Sequence, residues 1–561
     1  MSQRVFGVLA KSQHRFISTT ANYITTPIFY VNAKPHLGHF YSMTLADVQN
    51  RWTKFNDRET FFTTGTDEHG LKVQNAAAKK NIDPKLFCDE LSDKFKELAK
   101  LGNIEYDRFI RTTDPDHLDA VNYFWQLVWD KGYIYKGEHS GWYSVSDEAF
   151  YPEVDIEEII DEKTGEKKMV SKETGSEVNF EKEENYFFKL SAFQDQMIEF
   201  LEKKPDFIQP AQYYNAVLKE LKTNPLSDLS ISRPSWRLQW GITVPNDETQ
   251  KVYVWFDALL NYYTSLGYPN IPPVELTPAT HLIGKDIVRF HCIHWPIFLM
   301  AAGLPTPKRV VVHGHWLMDG SKMSKSKGNV ADPVEIANYY GVDALRLFIM
   351  RYSVLDNDCD FSEEKLNNTR TEFIDKFCNL LTRSLSKNFS ISRALQRLES
   401  NHSTELLTFA KDEELAKDLK ELYQRVNSLH SEIDPYVTNL EMHKAIQTIW
   451  SVLPQINGLF DKYKPWTLKV KAEDDELQAA SKLLRQDLII FSALDSLRVI
   501  LILLQSFIPD YSKLLLDRLN VLPKMRTYEH TKISSDLSYG ENAVWKKGEK
   551  VPLQRLELQE K

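Results

Sequence analysis

Residues 23–39 read Tyr23-Ile24-Thr25-Thr26-Pro27-Ile28-Phe29-Tyr30-Val31-Asn32-Ala33-Lys34-Pro35-His36-Leu37-Gly38-His39, and this stretch decides the fold. Residues 23–31 are extended and apolar, residues 37–55 can be a helix, and residues 59–64 are a second strand. Strand, glycine-containing turn, helix and strand in that order make one half of a doubly wound parallel sheet. Pro35 just before the turn favours a helix start, whose first backbone N–H groups and positive dipole end suit a phosphate. The second half is expected to resume near Thr249, where 251–256, 281–284 and 310–313 are short apolar runs separated by turns or helices.

Far downstream stands Lys322-Met323-Ser324-Lys325-Ser326, two lysines on a polar loop flanked by Gly320 and Gly328. His36 and His39 lie at i and i+3, on one helix face. Two imidazoles and two ammonium groups can grip a polyphosphate from opposite sides, and Gly38 keeps the helix face open for a nucleotide. Taken alone, a His-x-x-His is a surface pair or half a metal site, and a lysine-rich loop is a solvated face. The order and wide separation of the two segments favour the ATP reading.

The pair resembles the signature motifs of the class I aminoacyl-tRNA synthetases, which flank a Rossmann-type ATP site. Thr64-Gly65-Thr66-Asp67-Glu68-His69-Gly70, Tyr253-Val254-Trp255-Phe256-Asp257-Ala258 and Ile283-Gly284-Lys285-Asp286 narrow the resemblance to the methionyl-tRNA synthetases of the bacterial and organellar type. It runs from about residue 23 to at least residue 466. The resemblance implies an α/β Rossmann-type catalytic domain carrying an inserted connective-peptide domain, followed by an all-α anticodon-binding bundle. It further implies a ligase that activates L-methionine with ATP and charges tRNA(Met), Mg²⁺ arriving with the nucleotide.

Carried over residue by residue, the resemblance makes His36, His39, Lys322 and Lys325 catalytic, with Lys325 the stronger candidate for work in the transition state. ATP binding adds Gly38, Gly284 and Asp286, the last two as ribose ligands at a strand end. A thioether needs an apolar, aromatic pocket, and the family's pocket positions fall on Ile28, Tyr30, Trp255, Ala258, Tyr262, Ile287, His291 and Trp295, with Asp67 for the α-ammonium. Leu259 stands where some relatives have proline. Asn379 and Arg383, at i and i+4, with Pro465 and Trp466 match the anticodon readers, unpaired bases being read by stacking and by hydrogen bonds to their edges.

The family's insertion often carries zinc on Cys-x-x-Cys knuckles. Here Tyr143-Ser144-Val145-Ser146-Asp147 occupies that stretch, so no structural zinc and no other metal ligand set is expected, and Trp142, Tyr143, Phe150 and Tyr151 are left to hold the insertion by packing. Cys88, Cys292, Cys359 and Cys378 have no paired spacing, which excludes a disulfide framework and implies a reducing compartment. The longest apolar stretch, 488–508, is broken by Asp495, Arg498 and Gln505 and reads as a buried bundle helix, so no membrane association is expected. Net charge is −9 over 561 residues, which speaks against a nonspecific nucleic-acid binder and leaves tRNA recognition to local patches.

No acidic residue precedes Asp47, and Arg4, Lys11 and Arg15 alternate with apolar and hydroxyl residues, the pattern of a mitochondrial transit peptide directing the chain to the matrix. The expected organisation is a transit peptide at 1–20, Rossmann halves at 21–131 and 241–312, and an insertion at 132–240 whose centre, 155–184, is an exposed loop or hairpin. A KMSKS and stem-contact region at 313–362, a helical anticodon domain at 363–525 and a tail at 526–561 complete it. The helical patterns run over 363–389, 413–432, 439–459 and 479–507. The resemblance leaves no room for the C-terminal dimerising domain of some relatives and implies a monomer. Two other readings stay open on the sequence alone: another class I synthetase, and a tRNA-binding paralogue without catalysis.

Overall fold

The computed structural model describes residues 21–144, 149–151, 153–160, 167–172, 174–272, 274, 277–318, 320–322, 331–400, 412–541, 543 and 551–558. The leader 1–20 and Lys325 lie outside them. The described residues fall into two compact units that interleave along the chain: those within Met1–Lys34, Glu59–Phe95 and Tyr106–Val311 form one, and those within Pro35–Arg58, Lys96–Glu105 and Val312–Lys561 the other.

The first unit is built on a six-stranded sheet in the order Arg108–Arg111, Thr60–Asp67, Asn22–Tyr30, Ala279–Gly284, Arg309–His313, Ile208–Gln209. Tyr23 pairs in parallel with both Phe61 and Ala279, and Thr63 with Arg108. The central strands are buried along nearly their whole length, as parallel strands covered on both faces must be. Successive strands move outward from Asn22–Tyr30 on one side, and the chain later returns on the other through Ala279–Gly284. The order therefore reverses between those two strands, and the carboxyl ends on either side of such a reversal are where α/β sheets bind ligands.

Two expectations are corrected here. The run 251–256 is not one strand: Asp247–Val252 pairs antiparallel with Ser232–Pro234 and Thr243–Val244, and Val254–Leu259 is a helix. The insertion also contributes to the main sheet, because Ile208–Gln209 pairs in parallel with Arg309–His313 at the edge. A two-residue edge strand carries too little pattern to be read from the sequence.

The rest of the insertion has its own four-stranded antiparallel sheet, in which Ile134–Ser144 pairs along its length with Asn179–Phe188. The expected hairpin within 155–184 is the antiparallel pair Ile156–Ile160 and Lys167–Ser171. Of the four expected aromatic residues, packing is seen for two: Trp142 meets Phe180 edge to face at 5.6 Å, and the guanidinium groups of Arg233 and Arg237 lie 5.3 and 5.2 Å from the centre of the buried Tyr143 ring. Val145–Asp147 of the knuckle stretch lie outside the described residues.

In the second unit, the helix Leu37–Phe55 is fastened by its buried Asp47, whose carboxylate accepts from Arg346 Nη2 at 2.7 Å, Arg51 Nε at 2.8 Å and the Glu105 backbone at 2.8 Å. The helical pattern 363–389 breaks into Glu363–Phe373, a π-turn Ile374–Cys378 and Asn379–Ser384, and 439–459 into Met442–Trp450 and Leu453–Tyr463, the latter with Pro454 in its first turn. The stretch 488–508 lies mostly in Glu476–Leu504, buried on every side from Gln486 onward, as a helix apolar all round must be. Its one internal ion pair, Arg498 with Asp495 at 2.6 Å, also satisfies the carbonyls of His530 and Lys532, which pins the tail to this helix. Among the described residues, no helix is long and apolar enough to cross a membrane.

Candidate active site and nucleic-acid interface

Tyr30 and Asp67 end neighbouring parallel strands and are register partners, as are Ile28 and Gly65. An irregularity between Thr25 and Ile28 sets this phase, so that Phe29 points the other way and stacks on Phe95 at 5.5 Å. Gly65 is required by crowding, since a Cβ there would stand 2.0 Å from the Ile110 carbonyl oxygen. Asp67 is buried and its neighbours are clamped. Arg111 donates to both oxygens of Glu68, at 2.6 and 2.9 Å, while His69 Nδ1 lies 2.7 Å from Asp257 Oδ2.

The aromatic candidates assemble in the same unit. Tyr262 holds its ring by a short hydrogen bond, 2.6 Å, from its hydroxyl to His291 Nε2, and His291 Nδ1 lies 3.0 Å from the Ile287 carbonyl. A carbonyl only accepts, so Nδ1 carries the proton of His291 and Nε2 receives Tyr262 O–H. Burial pushes His291 down to about 4, so this wall of the site is neutral. Trp255 stacks on Phe290 with centroids 3.8 Å apart and meets His291 edge-on at 6.2 Å, and Trp295 lies 6.1 Å from Tyr262. Ala258 is buried on the helix with Trp255. Gly284 ends its strand, and Asp286 and Ile287 occupy the turn that follows, Asp286 exposed.

Sequence reading missed His281, the centre of this cluster. Its ring lies 4.0 Å from Tyr262, its Nε2 accepts from Trp295 Nε1–H at 3.2 Å, and its Nδ1–H donates to Thr25 Oγ1 at 2.8 Å. A lone histidine inside a strand looks like a core residue, and no linear spacing joins it to Trp295 or Thr25. Tyr23 was missed for the same reason; its hydroxyl donates to the Tyr262 carbonyl at 2.7 Å.

In the second unit, His36 is the N-cap of Leu37–Phe55. Its Nδ1 accepts from Gly38 N–H at 3.1 Å, while His39 Nδ1 accepts from His36 N–H at 3.0 Å, a reciprocal capping box made by two imidazoles. The rings stack with centroids 3.8 Å apart. Because both Nδ1 atoms accept, each neutral ring carries its proton on Nε2, and the pair presents N–H donors of the kind a phosphate oxygen needs. This refines the expected role of Gly38: a Cβ there would come 2.9 Å from His36 Cε1, so glycine lets the ring fold back as the cap. Downstream, Trp316–Met318 forms a hairpin with Ser321–Lys322 through Gly320 at a positive φ of 70°, which places the Lys322 backbone opposite Leu317. Tyr41, on the capped helix, packs edge-on against Trp316 at 6.1 Å and ties helix to hairpin.

The four expected anticodon residues also share this unit. Asn379 donates to Asp375 at 3.1 Å, and Arg383 donates to Asn457 at 2.9 Å while lying 5.2 Å from the centre of the Phe460 ring. Asn457 and Phe460 belong to Leu453–Tyr463, which ends at Lys464 with a positive φ of 42° and turns directly into Pro465–Thr467. Pro465 is buried and its carbonyl accepts from Gln486, whereas Trp466 is 43% exposed. An exposed indole on a rigid turn is free to stack.

Among the described residues no group of three or more His, Cys, Asp or Glu side chains is arranged to hold a metal ion.

The first unit thus carries a strand-order reversal with a buried carboxylate at a strand end and an aromatic cluster, and the second a histidine-capped helix and a short hairpin ending at Lys322; each by itself is a feature of a nucleotide-using enzyme of the class I synthetase type. The family described as tRNA synthetases class I (M) matches residues 22–385. The chain is similar to the mitochondrial methionine–tRNA ligase of Candida albicans, 49% identical over 97% of each chain, and to that of Saccharomyces cerevisiae, 43% identical over 97% of this chain and 96% of the relative. It also resembles a crystal structure of Mycobacterium tuberculosis methionyl-tRNA synthetase bound by methionyl-adenylate, with a TM-score of 0.81, 34% identity, and coverage of 92% of this chain and 97% of that one. The chain belongs to the methionyl-tRNA synthetase family.

Proposed function

We propose that the chain is a methionine–tRNA ligase of mitochondrial translation. In the first step a methionine carboxylate oxygen attacks the α-phosphorus of ATP, the bond to the bridging β-phosphate oxygen breaks, and pyrophosphate leaves with methionyl-adenylate retained. In the second, the 2′-hydroxyl of the tRNA's terminal adenosine attacks the carbonyl carbon of the mixed anhydride and AMP leaves. Little covalent work falls to the protein, so catalysis rests on positioning and on stabilising charge that builds on the phosphates. His36 and His39, through Nε2–H, and Lys322 and Lys325 take that charge; Gly284 and Asp286 take the ribose; Asp67 takes the α-ammonium. Mg²⁺ enters on the ATP phosphates and supplies further neutralisation there.

The observation that carries this reading is the neutral aromatic wall that Trp255, Tyr262, His291 and Trp295 form around His281. A thioether offers polarisable sulfur and little hydrogen bonding, and aromatic edges are its favourable neighbours. A charged side chain would be stranded against imidazoles that burial keeps unprotonated. Asn379, Arg383, Pro465 and Trp466 read the anticodon, and the acid-free leader 1–20 directs the protein to the matrix, in keeping with the mitochondrial names of its relatives. The expected solution state is a monomer, which light scattering reads directly. The test is charging: the protein is expected to methionylate tRNA with a CAU anticodon, and to charge a transcript ending in 3′-deoxyadenosine but not one ending in 2′-deoxyadenosine. Charging of the 2′-deoxy transcript instead contradicts the second step.

A further inference from the structure

Asp257 plays no part in the chemistry above, yet it is 1% exposed and both of its carboxylate oxygens are engaged by imidazoles. Oδ2 lies 2.7 Å from His69 Nδ1 and Oδ1 lies 2.7 Å from His117 Nε2, while His117 Nδ1 lies 3.0 Å from Thr264 Oγ1. Burial pushes the carboxyl up, but the neighbouring imidazole of His69 and the hydrogen bonds from His117 and His69 outweigh it, and Asp257 is held below the ordinary carboxylate range. An ionised carboxylate only accepts, so each imidazole nitrogen facing it carries a proton.

The placement of the three residues gives this bridge a use. His69 is two residues beyond Asp67, the candidate ligand of the α-ammonium. Asp257 lies between Trp255 and Ala258 on the helix Val254–Leu259, which carries part of the candidate side-chain pocket. His117, on the helix Pro115–Asp130, reaches through Thr264 to the segment that bears Tyr262. Two further contacts stiffen the His69 end: the Trp240 indole donates to the Glu68 carbonyl at 2.5 Å, and Gly70 N donates to the Trp240 carbonyl at 3.2 Å. We infer that Asp257 is a positioning residue that fixes the spacing between the ammonium-binding strand end and the thioether pocket, and so sets the length of amino acid the enzyme accepts. The inference rests on the proposed methionine site.

A buried charge held from two sides is costly to break, because the group left behind has no water to replace its partner. Asp257→Asn keeps the volume but turns an N–H₂ toward one imidazole N–H, releasing one of the two segments. In amino-acid-dependent pyrophosphate exchange with the full chain, Asp257→Asn and His69→Phe are each expected to raise the KM for methionine about tenfold, with the KM for ATP moving less than about threefold, and to lower the preference for methionine over the longer ethionine at least about fivefold; a single methylene is worth about ten- to two-hundredfold to a tight pocket. His69→Gln, which keeps an N–H donor, is expected to recover most of the methionine KM, and the double variant Asp257→Asn/His69→Phe to be no worse than either single one, because both remove the same bridge. A fall in kcat alone, with the methionine KM and the ethionine ratio unchanged, overturns the inference and leaves Asp257 as packing. If Asp257→Asn does not fold, the His69→Phe and His69→Gln pair decides by the same criteria. Methionine-dependent exchange in the wild type with unchanged variants removes the positioning role only; no methionine-dependent exchange in the wild type removes the methionine site with it.

Discussion

His291 takes its tautomer from the Ile287 carbonyl, and that single acceptor fixes which nitrogen faces Tyr262. The same burial that makes the wall neutral couples it to pH. Burial pushes His291 down to about 4 and His294 to about 3, and holds His281 well below its ordinary value. An unfolded histidine titrates near 6.5, so as pH falls below about 6.5 the unfolded chain takes up protons the native one refuses, and stability drops. Each buried imidazole removes up to about 1.4 kcal/mol per pH unit between about 6.5 and its own folded value. Urea midpoints should therefore fall steeply from pH 7.5 to 5.5, and His291→Gln should flatten that fall by the share of one proton. A midpoint unchanged by pH contradicts the burial argument. For the phosphates, Lys325→Ala is expected to abolish adenylate formation while tRNA binding, followed by filter retention, stays within about threefold of wild type; surviving adenylate formation removes Lys325 from the chemistry. Much of the candidate site was legible because its residues sit in linear motifs. His281, Thr25 and Asp257's two imidazoles were not, since each acts through a partner tens to hundreds of residues away that only the folded sheet brings close.

Among the elements, the strand Thr60–Asp67 is held by a close approach as much as by hydrogen bonds. Gly65→Ala would drive a Cβ to within 2.0 Å of the Ile110 carbonyl and force Thr60–Asp67 away from Arg108–Arg111. Overpacking of this kind costs about 1–3 kcal/mol or more, so the variant should unfold several degrees lower and lose methionine activation together with stability. A wild-type melting temperature would show that the strands part more easily than their register implies. On the helical side, Trp466→Ala is expected to lower kcat/KM for tRNA charging by at least about tenfold, a base–aromatic stack being worth about 1–3 kcal/mol. Methionine-dependent exchange should stay within about twofold, and equal losses in both would undo the division of labour between pocket and indole. Long periodic helices and the first strand–helix–strand were read close to their true extent. Helix interruptions at 374–378 and 451–452 were not, because a π-turn and a short break leave the apolar periodicity almost intact.

Across the whole molecule, the net charge of −9 gives no overall field to draw tRNA in, which leaves selection to local features, the proposed ones being Arg383 and Trp466. The compact units are interleaved in sequence, and a reason is visible inside the second: the buried Arg346 binds Asp47 Oδ2 at 2.7 Å and the Gly102 carbonyl at 3.0 Å, gathering two early segments onto a late helix. No composition shift announces such a guanidinium. The central claim concerns what the strand-end pocket accepts, and the most direct test is pyrophosphate exchange into ATP by the purified protein, run with each of the twenty amino acids separately. Exchange with methionine alone is the predicted result. Exchange driven by a different amino acid, or by none, would contradict the account.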